Sequence, residues 1–220
     1  MIGVVDSRTA PGLRARPVAV PVCWAATVLV FVLVVAMQAV KGDWLPPDIS
    51  VSQYGVGSTG WVFSAFLVVL GVSTLLWWTR SPRARTSLVL LVAGALGCMV
   101  TAVVRTDPGG LQQSWTAKVH MAGSVLALVC LPLGMRILLA ASRAALRRAG
   151  LLVTWGSALA LILLLLAAFG LDTAGLGPQD SWAMWQAVAV VLDLALLLVV
   201  GAGLTRLRPA DDRVDRSTGS

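Results

Sequence analysis

Residues 185–200 read WQAVAVVLDLALLLVV, sixteen positions with a single charge-capable side chain, Asp193. Leu and Val lie on nearly every side of it. No face of this segment is polar enough to meet water, and the apolar run extends on both sides to about 182–205. A run of that length is what a helix needs to cross a bilayer hydrocarbon core of about 30 Å. The stretch therefore reads as a transmembrane helix with a carboxyl group inside it.

The rest of the chain repeats this pattern. Of its 220 residues 58% are hydrophobic and 12% charged, and the mean hydropathy is +0.86. A soluble domain of this size needs a polar shell that this composition does not supply. Six apolar spans are expected, at about 18–40, 58–79, 86–104, 116–140, 150–171 and 182–205, giving an all-α polytopic bundle. Residues 1–17 read as an N-terminal arm, 18–206 as the membrane domain and 207–220, RPADDRVDRSTGS from Arg208 on, as a polar, disordered tail.

The net charge of +7 is distributed for a membrane and not for nucleic acid. Fourteen of the 17 basic residues precede span one, join spans two and three, end span four or follow it, or follow span six; Lys41, Arg105 and Lys118 alone fall on the other side. By the positive-inside rule both termini are cytoplasmic, in a multi-pass protein of the cell membrane. Trp44, Trp61, Trp115, Trp182 and Trp185 fall at the outer boundary and Trp24, Trp77, Trp78 and Trp155 at the inner one, where amphipathic indoles anchor. The first span is too long for a signal-peptide core, and AMQAVKGD (36–43) offers no small-x-small cleavage site. Cys23, Cys98 and Cys130 fall within three different spans, so they form neither a disulfide framework nor a metal motif.

Polar chemistry gathers in the outer loops. The first holds Asp43, Asp48, Ser50, Ser52, Gln53 and Tyr54; the second Arg105, Asp107, Gln112, Gln113, Lys118 and His120; the third Asp172 and Asp180. Pro46-Pro47 stiffens the first, Asp107-Pro108-Gly109-Gly110 reads as a tight turn, and Ser58 or Thr59 is placed to cap span two. This much rigid punctuation favours an outward-facing polar site over a merely solvated surface. His120, the one histidine, lies a turn into span four with Gly123 and Ser124 on its face. Alone it makes neither a zinc site nor a haem site, so no metal and no cofactor are expected. It reads either as a proton carrier or ligand donor, or as a packed histidine. On span three, Ala93, Gly97 and Thr101 form a small-xxx-small row, with Gly94 and Cys98 beside it, which marks close helix packing.

Asp193 lies roughly 16 Å inward from Trp182 at 1.5 Å per residue, near the bilayer midplane. Inserting it there costs about 2.5–3.5 kcal/mol, which the surrounding Leu and Val absorb, but contact with lipid is not expected. Burial disfavours the charged form, so without a cationic partner Asp193 is expected as the neutral acid. Arg136 is roughly 13 Å deeper and snorkels away; Thr27, Ser73, Ser124 and Ser157 are closer in depth. Trp182, Gln186 and Asp193 form a polar stripe descending from the outer surface. Asp193 is then either a proton donor or ligand anchor at the bottom of an outward-opening cavity, or interhelical glue bonded to a Ser or Thr hydroxyl.

The outer-loop segment PPDISVSQYGVGSTGWVF (46–63) and VVRTDPGGLQQSWTAKVHMAGSVLAL (103–128), with six spans, resemble the bacterial and archaeal family catalogued as domain of unknown function 998. The resemblance implies a six-span fold and no activity, and it carries over Ser50, Gly55, Gly60, Asp107 and His120. Members often have an acidic-arginine pair before span six, where this chain has Gln179-Asp180.

Three function classes follow. The first is a membrane enzyme acting on a lipid-soluble substrate, with Asp193, Asp107, His120 and Asp48 as acid/base residues and Trp61, Tyr54, Trp182, Gln186 and Ser124 binding the substrate. Its concrete form is proton-initiated cyclisation of an isoprenoid, in which a neutral carboxylic acid protonates an alkene or epoxide and aromatic faces stabilise the cation. No Asp-rich diphosphate signature is present. The second is a non-catalytic membrane partner or assembly factor docking through small-residue faces. The third is a proton-coupled carrier, against which stands the lack of an internal repeat or a broken helix pair.

Overall fold

A computed structural model describes residues 18–42, 49–81, 85–110 and 113–205. Six helices account for most of them: α1 (Val20–Lys41), α2 (Gly60–Trp78), α3 (Arg85–Val103), α4 (Trp115–Leu138), α5 (Ala144–Ala168) and α6 (Pro178–Thr205). All six are long and apolar enough to cross a membrane, and no strand occurs among the described residues. The chain is a multi-pass membrane protein.

The spans agree with expectation within three residues at most ends, and the differences have local causes. Helix α5 begins at Ala144, six residues before the apolar run, so Arg147 and Arg148 sit on its first turns and not in a loop. Helix α6 begins at Pro178, where the missing N–H costs nothing, after Gly177 at φ +94°. Thr59 does hold the N-cap position of α2, yet its side chain makes no capping bond; the expected cap is not formed. Helix α4 instead has a working cap, Ser114 Oγ accepting from Ala117 N at 3.0 Å. The expected tight turn is present as Pro108–Gly110, with Gly109 at φ +72°.

Packing is uneven, and this positions the site. Helix α3 lies along α4 over the largest area, α5 along α6 nearly as extensively, and α2 and α1 are added in turn on the α3 side; α4 meets α5 and α6 much more sparsely. The α3–α4 approach is made by glycine. A Cβ on Gly97 would fall 2.7 Å from Gly123 O and 2.8 Å from Ala127 N, so these two backbones are in direct contact. In lipid, where no water drives association, such contacts supply the packing energy. The expected row on α3 therefore faces α4, with Gly97 and Thr101 both buried.

At the opposite ends of α1 and α2, Thr27 Oγ1 lies 3.1 Å from Ser73 Oγ and accepts from Trp77 Nε1 at 2.9 Å. Trp77 is fully buried against Trp24, so it is a packing residue and not the interfacial anchor expected of it. Trp61, Trp115 and Trp155 do stand on the outside of the bundle, 67%, 77% and 68% exposed.

Candidate functional site: two adjoining interhelical cavities

Two adjoining cavities lie within the bundle, one of about 50 Å³ among α2, α3, α4 and α6 and one of about 30 Å³ in the sparse seam between α4 and the α5–α6 pair. The larger is walled by Phe63, Phe66, Leu67 and Leu70 of α2, Cys98 and Thr101 of α3, Leu131 of α4 and Val190 of α6, and Asp193 lies on it. The smaller lies between α4, α5 and α6, and is lined by His120, Trp182, Leu164 and Leu165 among others. Ser124, Leu128 and Gln186 border both, so the two are neighbours along one path through the bundle.

Asp193 lies fifteen residues from the start of α6 and twelve from its end, near the middle of the helix, and is 3% exposed. Of the four hydroxyls near its depth, Ser157 is its partner, donating to Oδ1 at 2.7 Å. Thr27 and Ser73 are committed to each other, and Ser124 Oγ donates to His120 O at 3.0 Å. Asp193 Oδ2 has no hydrogen-bond partner among the described residues, and no lysine or arginine lines either cavity. One carboxyl oxygen is thus fixed to α5, and the other remains available on a wall that is otherwise mostly apolar.

Two turns above, Gln186 is held by Ser52, whose backbone N–H donates to Gln186 Oε1 at 3.3 Å. That bond assigns the amide orientation and leaves Gln186 Nε2 as a donor beside both cavities. His120 is 3% exposed, stacked on Phe63 at a centroid separation of 6.3 Å, with Nδ1 2.6 Å from Val104 O. A carbonyl oxygen only accepts, so Nδ1 carries a proton and Nε2 of the neutral ring is an acceptor. Nε2 is buried without a hydrogen-bond partner among the described residues. A group left in that state costs about 1–3 kcal/mol, which argues for a use.

The cavities are roofed by the short 3₁₀ helix Val51–Gly55, which places Val51 on the larger and Ser52 on the smaller. Several bonds hold this roof. Tyr54 Oη donates to Gln38 Oε1 at 2.7 Å, Lys41 Nζ to Val56 O at 3.0 Å, and Gln53 Nε2 to Asp107 O at 2.9 Å. Gly109 N in turn donates to Gln53 Oε1 at 3.0 Å. Gly60 lets the roof sit on α2, since a Cβ there would collide with the Gly55 carbonyl oxygen.

The sequence-derived site residues divide accordingly. Asp193, His120, Gln186, Ser124 and Trp182 are brought together around the cavities. Asp107 is not. Its carboxylate accepts from Gln113 N and Ser114 N, both at 2.9 Å, and from Ser114 Oγ, so it closes the loop leading into α4. The Ser114 hydroxyl, followed by these backbone N–H groups, holds its pKa below the usual carboxylate value. Tyr54 is buried and lines neither cavity; its hydroxyl anchors the roof on Gln38. Trp61 faces outward, away from both. Asp48 lies outside the described residues. Phe63, two positions from Trp61, and Phe66 are the aromatics that line the larger cavity, and Phe63 also stacks on His120.

The family model described as Protein of unknown function (DUF998) matches residues 24–203. The chain belongs to this family. The match spans α1 to α6 almost completely, and searches among curated proteins and among solved structures return no match. The positions carried over from the family resemblance acquire physical roles here. Gly55 and Gly60 are the contact between roof and α2, Asp107 joins the second loop to the roof through Gln53, and His120 lies beneath it. Ser50 Oγ lies 2.9 Å from Ser52 Oγ, at the roof's start. Before α6, Asp172 closes the loop. Its Oδ1 accepts from Ser181 Oγ at 2.8 Å and Leu176 N at 3.1 Å.

Proposed function

We propose that this protein is a membrane-embedded acid site, in which the cavities take a lipid-soluble molecule and Asp193 delivers a proton to it. The carrying observation is the division of labour at one carboxyl group on the larger cavity, with Oδ1 fixed by Ser157 and Oδ2 without a hydrogen-bond partner among the described residues. In a neutral carboxylic acid so held, the proton-bearing oxygen faces the cavity, where water is scarce and proton transfer to an alkene or carbonyl competes well. Phe63 and Phe66 offer ring faces to a developing cation. The carboxylate left behind recovers a proton from that cation, so isomerisation or cyclisation needs no other reactant.

Volume constrains the substrate. The larger cavity, about 50 Å³, is below the roughly 150 Å³ that holds benzene in an apolar protein cavity. In this conformation it takes the reacting end of a molecule, and the remainder lies in the thinly packed α4–α5 seam beside Met121 and Val125. Cyclisation of a whole isoprenoid requires that seam to widen. The end of the bundle carrying the roof faces outward in this reading, with both termini cytoplasmic in the cell membrane, as the distribution of arginines favours.

A second reading is a non-catalytic membrane partner, in which Asp193 only joins α6 to α5. The Ser157 bond favours it, because a protonated carboxyl bonded to a hydroxyl is what glue requires. The two are separated by incubating the purified protein with a membrane lipid extract in deuterated water. Acid chemistry places a solvent deuteron on carbon in a specific lipid, and mass spectrometry reads it. Lipids without enzyme-dependent label would refute the acid site.

A further inference from the structure

We infer that the paired cavities recognise an uncharged lipid alcohol, its hydroxyl bound between Gln186 Nε2 as donor and His120 Nε2 as acceptor. This rests on the reading of the cavities as a lipid site, and it names the chemical class and the recognition groups. Three observations carry it. First, His120 Nε2 is a buried acceptor without a hydrogen-bond partner among the described residues, on a residue lining the smaller cavity. Its ring is fixed by Phe63 on one face and by the Nδ1 bond to Val104 O, so it cannot turn elsewhere to find a donor. Second, Gln186 has its oxygen engaged by Ser52 and its amide N–H groups left over, on the border of both cavities. One acceptor and one donor in one small space match a hydroxyl, which gives one bond and takes one.

Third, the electrostatics exclude charged ends. No lysine or arginine lines either cavity among the described residues, so a phosphate or carboxylate head would meet no counter-charge there. Among the described residues Asp193 is the one carboxylate lining either cavity, roughly 10 Å further along α6 from Gln186 by helix rise, and beyond reach of an ammonium seated at His120. The smaller cavity, about 30 Å³, fits a terminal hydroxyl and little more. Beside it Met121, Val125, Leu164 and Leu165 line an apolar seam suited to the alkyl chain. The ligand then runs from a hydroxyl near the roof toward Asp193, which meets a different part of the same molecule.

His120 is the chain's one histidine, which gives a test independent of activity. Tag-free protein labelled with ¹⁵N-histidine is titrated in detergent with 1-decanol, and in parallel with decane, decanoate and decylamine. The expected result is a saturable shift of the Nε2 resonance, from an unprotonated nitrogen without a donor towards a hydrogen-bonded one, with decanol only. His120→Phe preserves the stacked ring but removes the acceptor, and should weaken decanol binding roughly tenfold or more. Asp193→Asn should keep the decanol shift, so this site and the acid chemistry fail separately. An Nε2 resonance that no decanol concentration moves would overturn the inference. So would an equal shift with decane, a shift with decylamine or decanoate in place of decanol, or loss of the shift in folded Asp193→Asn.

Discussion

Gly97→Ala places one methyl group where the structure has no room for it. The new Cβ would lie 2.7 Å from Gly123 O and 2.8 Å from Ala127 N, both backbone atoms of α4 that no rotamer change can move. The helices must separate by more than half an ångström, and over-packing of this kind costs about 1–3 kcal/mol. Against this, alanine in a helix interior is favoured over glycine by about 0.8–1.0 kcal/mol. The difference leaves a net loss of about 0–2 kcal/mol, towards the upper end because both clashing atoms are backbone. Gly156→Ala supplies the control within the same fold. There the Cβ would meet Leu192 Cδ1 at 3.2 Å, the far end of a flexible side chain, so the propensity gain survives and the variant should lie between neutral and about 1 kcal/mol more stable. Equilibrium unfolding in mixed micelles with rising dodecyl sulfate, followed by tryptophan fluorescence, measures both. Gly97→Ala should also disturb the site, because Cys98 and Thr101 on one side and Ser124 and Ala127 on the other wall the larger cavity. Gly97→Ala as stable as Gly156→Ala would refute the backbone contact between α3 and α4.

Three further outcomes are expected. Ser114→Ala removes the one side-chain cap on α4 and a bond to Asp107, and should cost about 1 kcal/mol in the same unfolding assay; no change would mean that the loop does not brace the helix. Asp172 has its pKa lowered from 3.8 to about 2, first by the Ser181 hydroxyl and then by the N–H groups of Gly177, Ala174 and Gly175. A depressed carboxylate stabilises the fold fully above about pH 4 and loses that contribution as pH falls through about 2. The indole N–H of Trp185, bonded to Thr173 beside this loop, should titrate near the lower value by NMR, and a midpoint near 4 would contradict the loop geometry. Reporter fusions at Ser142 and after residue 205 should read cytoplasmic and one at Gly110 external; an external signal at the C-terminal fusion would reverse the orientation.

Depth was legible in the sequence and helix rotation was not. The six spans follow from hydropathy because a bilayer demands runs of fixed length, and Asp193 could be placed near the midplane by counting along α6. Which hydroxyl it meets depends on how α5 and α6 are turned about their axes. In water, an apolar stripe on one face reveals that turn. Here lipid and core are both apolar, so Trp61 and Phe63 look alike although one faces outward and the other stacks on His120. The same ambiguity hid Trp77, fully buried where an interfacial indole was expected. Small residues were the exception, since a glycine declares close approach whichever way its helix faces, and the row through Gly97 did locate the α3–α4 contact. The roof was illegible for a different reason. Val51–Gly55 is a short 3₁₀ helix held by side chains from α1 and α6 and by backbone groups of the second loop, and none of those pairings has a local signal.

The central claim is that Asp193 acts as an acid and not only as a joint between α5 and α6. Asp193→Asn keeps the size of the side chain and a partner for Ser157 but cannot deliver a proton; Asp193→Leu removes both the bond and the acid. Unfolding stability and solvent-deuterium incorporation are measured on both, beside the unaltered protein. The account predicts that Asn stays within about 0.5 kcal/mol of the parent, that Leu shifts stability by about 0.6–2 kcal/mol, and that neither incorporates label. A well-folded Asp193→Asn variant that labels lipid at the parent rate would contradict it, and would leave the carboxyl group as a packing device at the middle of α6.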